Sequence, residues 1–106
     1  MTVEGARLAQ EQLHLLRSFV AGGPSVRDFV EPFLRARNAA VAAGGSDELD
    51  LLDMLNDVWF AIDMHNEYDD LREPDEFDDA QLLEVLTGYL ADWDAGTWQP
   101  DQRWAG

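Results

Sequence analysis

Neither cysteine nor lysine occurs in the 106 residues, and no stretch of about 18 consecutive apolar residues is present. Without cysteine the chain forms no disulfides and offers no thiolate ligands to a metal. Without lysine it lacks the side chain with which a P-loop holds phosphate. Because no apolar run is long enough to span a bilayer, we expect no membrane association.

The first residues, MTVEGARLAQEQLHLLRSFV, show neither the basic start nor the uninterrupted apolar run of a secretory signal. Together with the missing cysteines, this predicts a cytoplasmic protein. Hydrophobic residues make up 46% of the chain and charged residues 27%, which is typical of a globular domain and not of a disordered one. We therefore expect a folded domain despite a net charge of -15.

The charge is concentrated in the second half of the chain. Residues 1–45 contain five arginines and four acids, for a net charge of +1, whereas residues 46–106 contain eighteen acids and two arginines, for -16. Such a surface repels a phosphate backbone, so direct nucleic-acid binding is not expected, and it attracts a basic protein. The alternative is that the acids form a solvated surface that keeps the protein soluble.

Apolar residues recur at helical spacing in four segments, and no strand pattern competes with them. The predicted helices cover residues 3–21, 25–44, 46–65 and 78–93. Short connections between amphipathic helices predict an all-α fold, an antiparallel four-helix bundle over residues 1–94. Residues 95–106 lack periodicity and are predicted to be a C-terminal tail, either free or strapped onto the bundle.

Capping residues and one proline refine these boundaries. Ser25 and Ser46 are the predicted N-caps of the second and third helices. Asp78 and Gln81 have the spacing of a capping box at the start of the fourth. Pro32 falls inside the second helix, where it predicts a kink or a later helix start.

The third helix has two distinct faces at about 100° per residue. One is apolar and is predicted to lie in the core: Leu51, Leu52, Leu55, Val58, Trp59 and Ile62. The opposite face combines carboxylates with two apolar residues: Asp50, Asp53, Asp57, Phe60 and Met64. This second composition is typical of a protein-binding surface. Alternatively, Trp98 or Trp104 of the tail covers Phe60 and Met64.

Acidic and histidine residues are plentiful, but their spacing does not predict a metal site. The surroundings of His65 lack the glycine and glutamate positions of an EF-hand loop. Glu11 and His14 form one Glu-x-x-His pair, whereas a helical di-iron site needs two such pairs and two further glutamates. We predict no metal site and no cofactor.

Catalytic chemistry is equally unsupported by the sequence. The acids lie on predicted solvent faces and in a loop, where a raised carboxyl pKa of the kind used in acid catalysis is not expected. Two of the three serines are at helix caps, and Ser18 is four residues from His14 on one helix, which is weak support for a nucleophile. The chain is predicted not to be an enzyme.

The most acidic stretch is DMHNEYDDLREPDEF, residues 63–77, which contains seven acids and one arginine. This stretch and two others carry a resemblance over residues 15–90. They are SFVAGGPSVRDFVEPF around the first turn, the apolar and acidic helix of residues 49–65, and the join DLREPDEFDDAQL. On these motifs the chain resembles the colicin D immunity family, small acidic helical proteins that protect bacteria from tRNA-cleaving toxin domains.

The resemblance implies a four-helix antiparallel bundle, no catalysis and no cofactor. It also implies that acidic residues stand in for tRNA phosphates in the active site of the nuclease. In this sequence the matching acids are Asp57, Asp63, Glu67, Asp69 and Asp70. Pro32 and the tail after Trp93 depart from the family pattern, so the identity of a toxin is not carried over.

The leading hypothesis is therefore an immunity protein, monomeric or weakly dimeric, that inhibits a basic nuclease toxin domain through a substrate-mimicking surface. Phe60 and Tyr68 are its predicted anchors. The alternative is an acidic helical adaptor or regulator of another basic protein, of which a DNA-mimic inhibitor is a special case. The predicted partner-binding residues are Asp53, Asp57, Phe60, Asp63, Met64, Glu67, Tyr68, Asp69 and Asp70.

Overall fold

The computed structural model describes residues 3–44 and 49–104, which form four helices. They are α1 (Val3–Val20), α2 (Val26–Ala42), α3 (Leu49–Asp63) and α4 (Asp79–Ala95). The predicted all-α four-helix bundle is confirmed. The predicted cap at Ser46 lies outside the described residues.

Local capping explains where α2 and α4 begin and where α4 ends. The hydroxyl of Ser25 accepts a hydrogen bond from the backbone N–H of Asp28 at 3.2 Å. Asp78 and Gln81 form the predicted capping box, each side chain accepting from the other's backbone N–H, at 2.7 and 2.9 Å. Gly96 ends α4 in the left-handed conformation, with φ at 73°, which glycine adopts without strain.

The helix α2 runs through Pro32 from a start at Val26. The alternative in which this helix begins at the proline is therefore wrong. The Ser25 cap stabilises the first turn, and Pro32, in the second turn, removes only the hydrogen bond that its N–H would donate to the carbonyl of Asp28.

The bundle is two helical hairpins joined through α1, which packs closely against α2, α3 and α4. One aromatic cluster of the core lies between α1 and α2, where the rings of Phe19 and Phe29 stack with their centroids 4.5 Å apart. Phe33 continues this cluster, 5.4 Å from Phe29. The largest fully buried non-aromatic side chains are Leu16, Leu51, Met54, Val58, Leu82 and Leu86.

The helix α3 is buried over a wider and slightly rotated face compared with the prediction. Leu51, Leu55, Val58 and Ile62 are buried as expected, but Leu52 and Trp59 are only half-buried, while Met54 and Ala61 are fully buried. The guanidinium of Arg37 lies 4.3 Å from the ring centroid of Trp59, which covers this side of the helix with a cation. The face that the sequence predicted to be exposed is partly occupied by the segment that follows α4.

That segment, residues 97–104, packs onto the bundle and is the strapped-down extension. The backbone N–H of Asp101 donates to the carboxylate of Asp57 at 2.8 Å. The hydroxyl of Tyr89 donates to the carboxylate of Asp101, and the indole N–H of Trp104 donates to the oxygen of Tyr89 at 2.9 Å. Trp98 and Trp104 also pack against the core cluster. We call residues 97–104 the C-terminal clamp.

None of the four helices within the described residues combines the length and the apolar composition needed to cross a bilayer.

Candidate protein-binding surface

The connection between α3 and α4 is closed at its base by backbone hydrogen bonds. The N–H of Asn66 donates to the carbonyl of Phe77 at 2.9 Å, and the N–H of Phe77 donates to the carbonyl of Met64 at 2.8 Å. His65, just inside this base, lies 2.6 Å from a carboxylate oxygen of Asp79 on α4. The strand-like pairing of its two ends makes residues 64–77 a compact loop, which we call the acidic loop.

Asn66 organises the interior of the acidic loop. Its side-chain oxygen accepts from the N–H of Tyr68 at 3.1 Å, and its amide group donates to the carbonyl of Leu71 and to Glu76, both at 3.3 Å. The side chain of Arg72 donates to the carbonyl of Asn66 at 2.9 Å. One amide side chain therefore ties together the beginning, the middle and the end of the loop.

Glu76 is half-buried and takes part in this hydrogen-bonded scaffold. It accepts from the backbone N–H of Glu73 at 2.9 Å and from the amide of Asn66. These two hydrogen bonds hold the pKa of Glu76 below its usual value, because they stabilise the charged form. Glu76 therefore supports the loop as a carboxylate.

The remaining acids of the predicted surface fall into two groups. Glu67 lies 3.2 Å from Arg27 and Asp69 lies 2.7 Å from Arg72, so each has a cationic neighbour. Asp63 and Asp70 are exposed and make no hydrogen bond or ion pair with any residue in the described ranges. These two carboxylates are consequently the ones most available to an external cation.

Two large apolar side chains are exposed in the same loop as Asp70. Tyr68 is 57% exposed and Leu71 is 65% exposed. Both belong to a backbone turn in which the N–H of Leu71 donates to the carbonyl of Tyr68 at 3.0 Å. Next to Tyr68 is a shallow depression of about 290 Å³, whose lining includes Val26, Val30 and Glu67. An exposed apolar pair on a hydrogen-bonded loop is suited to close contact with another protein.

Asp57 is not part of this exposed surface, so the prediction that it faces solvent is wrong. Its side chain is 6% exposed and lies beneath the C-terminal clamp. Burial raises the pKa of Asp57, and the hydrogen bond from the backbone of Asp101 offsets only part of that rise. The acid accepts a structural hydrogen bond inside the protein.

The expectation that Phe60 and Met64 are exposed is also corrected, since both are half-buried. The ring of Phe60 stacks on Trp104 of the C-terminal clamp, with centroids 5.9 Å apart. Asp53 remains exposed, but it lies beside Phe60 and Trp98 in a groove along α3, about 15 Å from Asp63 at 1.5 Å per residue. The predicted surface therefore divides into two parts.

Met64, Glu67, Tyr68, Asp69 and Asp70 belong to the acidic loop and Asp63 is the last residue of α3 just before it, whereas Asp53, Asp57 and Phe60 lie along the clamp. Leu71 was not among the predicted binding residues, because it is an apolar residue between charged neighbours and its exposure depends on the loop conformation. The role of Asn66 was not predicted either, because one asparagine in a polar loop carries no distinctive signal.

Each arginine of the protein contacts a carboxylate or an aromatic ring of the same molecule. Six of the seven arginines lie within ion-pair distance of a carboxylate, and the seventh, Arg37, stacks on Trp59. The electrostatic potential at the protein surface is therefore negative wherever acids outnumber these arginines. Among residues 3–44 and 49–104, no three or more histidine or acidic side chains are grouped as a metal site would require.

In comparisons with protein-family models, curated proteins and solved structures, none matches this chain.

Proposed function

We propose that this protein is an immunity protein that binds a basic ribonuclease toxin domain and blocks its substrate site with the acidic loop. The observation that carries the proposal is the combination of two unpaired carboxylates, Asp63 at the end of α3 and Asp70 in the acidic loop, with exposed Tyr68 and Leu71 on the same loop, which Asn66 holds by hydrogen bonds. On this proposal the protein acts in the cytoplasm, uses no cofactor and catalyses no reaction.

Each part of the surface has a distinct role in such binding. A ribonuclease site is cationic because it holds phosphates, so carboxylates compete for the same side chains. Their long-range attraction raises the association rate, while burial of Tyr68 and Leu71 slows dissociation. The hydrogen bonds of Asn66 fix the loop before binding, which lowers the entropy lost when the complex forms.

The alternative is an acidic adaptor or regulator that binds a basic protein unrelated to toxins. The observation in its favour is that exposed acids are not confined to the acidic loop. Asp50 and Asp53 on α3, and Glu84 and Asp92 on α4, are also exposed. A partner recognised mainly by charge could use any of these surfaces.

A tRNA-cleavage assay tests the proposal directly. The protein is mixed with the ribonuclease domain of colicin D, and separately with any basic domain encoded beside its own gene, and tRNA cleavage is measured. We expect stoichiometric loss of cleavage with at least one of these domains. Binding that leaves cleavage unchanged would support the adaptor, and the absence of both binding and protection would overturn the immunity proposal.

Matched variants assign the effect to the acidic loop. The Tyr68→Ala/Leu71→Ala and Asp63→Asn/Asp70→Asn variants should each lose protection at limiting protein concentration. The Asp28→Asn/Glu84→Gln variant removes the same charge from exposed positions on other helices and should protect like the wild type. Equal loss in all the variants that remove charge would mean that net charge, and not the loop, is responsible.

A further inference from the structure

A groove runs along α3 beneath the C-terminal clamp, separate from the acidic loop. It consists of two adjoining depressions of about 470 and 260 Å³, which share Asp53, Trp98 and Pro100. The larger one is lined also by Asp50 and Trp93, and the smaller one by Phe60 and Trp104. The groove thus has one wall from α3 and one from the residues that end and follow α4.

One end of the groove carries two uncompensated negative charges. Asp50 and Asp53 are exposed and lie three residues apart on α3, so their side chains are neighbours on one face. Neither makes a hydrogen bond or ion pair within the part of the chain that the structure describes. Since the arginines of the protein are engaged elsewhere, the cation that this end attracts must come from another molecule.

Aromatic rings follow the groove along its length. Trp93 and Trp98 meet edge to face with centroids 6.5 Å apart, and Phe60 and Trp104 are stacked at 5.9 Å. Guanidinium groups bind carboxylates and stack on indole rings, so arginine fits this combination better than lysine does. The same contact occurs inside the protein, where Arg37 lies over Trp59.

The length of the groove indicates a peptide and not an isolated cation. From Asp50 to Phe60 the helix rises about 15 Å, which matches about four to five residues of an extended chain. Alternate side chains of an extended segment point to the same side. An arginine at the Asp50 end would therefore place an apolar side chain of the same segment near Phe60 and Trp104.

We propose that this groove binds an extended basic segment of a partner protein, with arginine at the Asp50 and Asp53 end and an apolar residue at the Phe60 and Trp104 end. The proposal does not rest on the immunity function. Charge complementarity selects the occupant, because the carboxylates exclude acidic or phosphorylated segments and the aromatic walls favour a guanidinium over a hydrated metal ion.

The test uses the peptide acetyl-Arg-Ala-Arg-Ala-Leu-amide with the folded protein at low salt. Binding is followed by tryptophan fluorescence and by amide and indole chemical shifts in two-dimensional NMR. We expect shifts at Gly96, Trp98 and Gln99, and none at Tyr68 or Leu71. A peptide with citrulline in place of arginine has the same shape without the charge, and argininamide supplies the cation without the length.

The Asp50→Asn/Asp53→Asn variant should weaken peptide binding by about five- to tenfold, in keeping with two partly exposed ion pairs. The Asp28→Asn/Glu84→Gln variant, with an equal change in charge, and the Asp63→Asn/Asp70→Asn variant should bind the peptide like the wild type. Unchanged thermal unfolding of each variant establishes that the variant is folded.

Four results would overturn the proposal. The citrulline peptide could bind as tightly as the arginine peptide, argininamide could match the full peptide, or the Asp50→Asn/Asp53→Asn variant could retain full affinity. Shifts centred on the acidic loop would also count against it, because they would show that the peptide follows net charge. The proposed immunity function is unaffected by any of these outcomes, since tRNA cleavage is not measured.

Discussion

The buried carboxylate of Asp57 accepts the backbone N–H of Asp101 at 2.8 Å, which joins α3 to the C-terminal clamp across 44 positions of the chain. Burial raises the pKa of Asp57, and the nearby carboxylates of Asp101 and Asp53 add to the rise. Burial by itself would also raise the pKa of Asp101. Hydrogen bonds from Arg103 and Tyr89 outweigh this effect and leave the pKa of Asp101 below its usual value. The contact between α3 and the clamp therefore involves two carboxyl groups. The charged form of Asp57 is destabilised, and the charged form of Asp101 is stabilised.

We expect the Asp57→Asn variant to be more stable than the wild type at neutral pH. A folded-state pKa above the unfolded value means that the folded protein binds the proton more tightly, so the wild type loses stability as pH rises from the ordinary aspartate pKa through the raised one. Asparagine stays neutral and can still accept from Asp101. Urea unfolding across a pH series should show the advantage of the variant shrinking towards about pH 4.

The Asp57→Ala variant is the matched control for this prediction. It removes the titration and also the acceptor, which leaves the N–H of Asp101 unpaired, so it should cost about 1–3 kcal/mol of unfolding free energy. If Asp57→Asn and Asp57→Ala were equally destabilising at every pH, the carboxylate would have to be stabilised as an anion, contrary to the expected direction of its pKa.

Trp104 should contribute to stability through both its ring and its indole N–H. The Trp104→Phe change keeps an aromatic ring near Phe60 but removes the donor to Tyr89, and should cost about 0.5–1.5 kcal/mol. The Trp104→Ala change also removes the ring contact and should cost more. Unfolding in urea, monitored by circular dichroism, separates the two; equal stability of Trp104→Ala and the wild type would mean that the clamp is not closed in solution.

Substitutions along α3 test the rotated core face. Met54→Ala and Leu55→Ala should each destabilise by about 2–5 kcal/mol, because both side chains are buried in the cluster. Trp59→Ala should cost less than a fully buried tryptophan does, since this residue is half-buried. Asp53→Ala is the surface control, with a change within about 0.5 kcal/mol. A larger loss of unfolding free energy in Trp59→Ala than in Met54→Ala would indicate that the core face predicted from the sequence is the correct one.

Asn66 should control the order of the acidic loop. The Asn66→Ala variant loses the side-chain hydrogen bonds to Tyr68, Leu71 and Glu76, and the amides of the loop should exchange with solvent faster than in the wild type. The amides of α1 and α2 should be unchanged, which distinguishes local loosening from global unfolding. Unaltered exchange at Tyr68 and Leu71 would show that Asn66 does not hold the loop.

Binding kinetics with a toxin domain should separate charge from apolar contact. The Asp63→Asn/Asp70→Asn variant should associate more slowly at low salt, and the difference should fade at high salt because exposed charges are screened. Tyr68→Ala and Leu71→Ala should instead raise the dissociation rate at both salt concentrations. Surface plasmon resonance measures both rates; a salt-dependent effect of Leu71→Ala on association would contradict the assigned roles.

Local sequence signals were sufficient for the helices and their caps. The fourth helix, predicted over residues 78–93, is observed over Asp79–Ala95, and the Asp78 and Gln81 capping box forms as expected. These features depend on residues within one or two helical turns of each other. Periodicity therefore detects them without knowledge of the tertiary structure.

The division of the predicted binding surface could not be read in the same way. A helix considered alone has one buried and one exposed face, but α3 packs against the bundle on one side and the C-terminal clamp on another. The clamp residues show no apolar periodicity. Their packing on Phe60 through Trp98 or Trp104 could therefore be given only as an alternative to an exposed face. The contact of Asp57 with a backbone N–H depends on where that irregular segment lies.

The engagement of the arginines has a thermodynamic consequence. Because the arginines make contacts within the molecule, small cations from the buffer screen the remaining carboxylates. A basic partner would return those ions to bulk solution, and their gain in translational entropy would favour the complex, as it does when proteins bind DNA. The affinity of this surface would then depend on the concentration of potassium in the cell as well as on the fit of Tyr68 and Leu71.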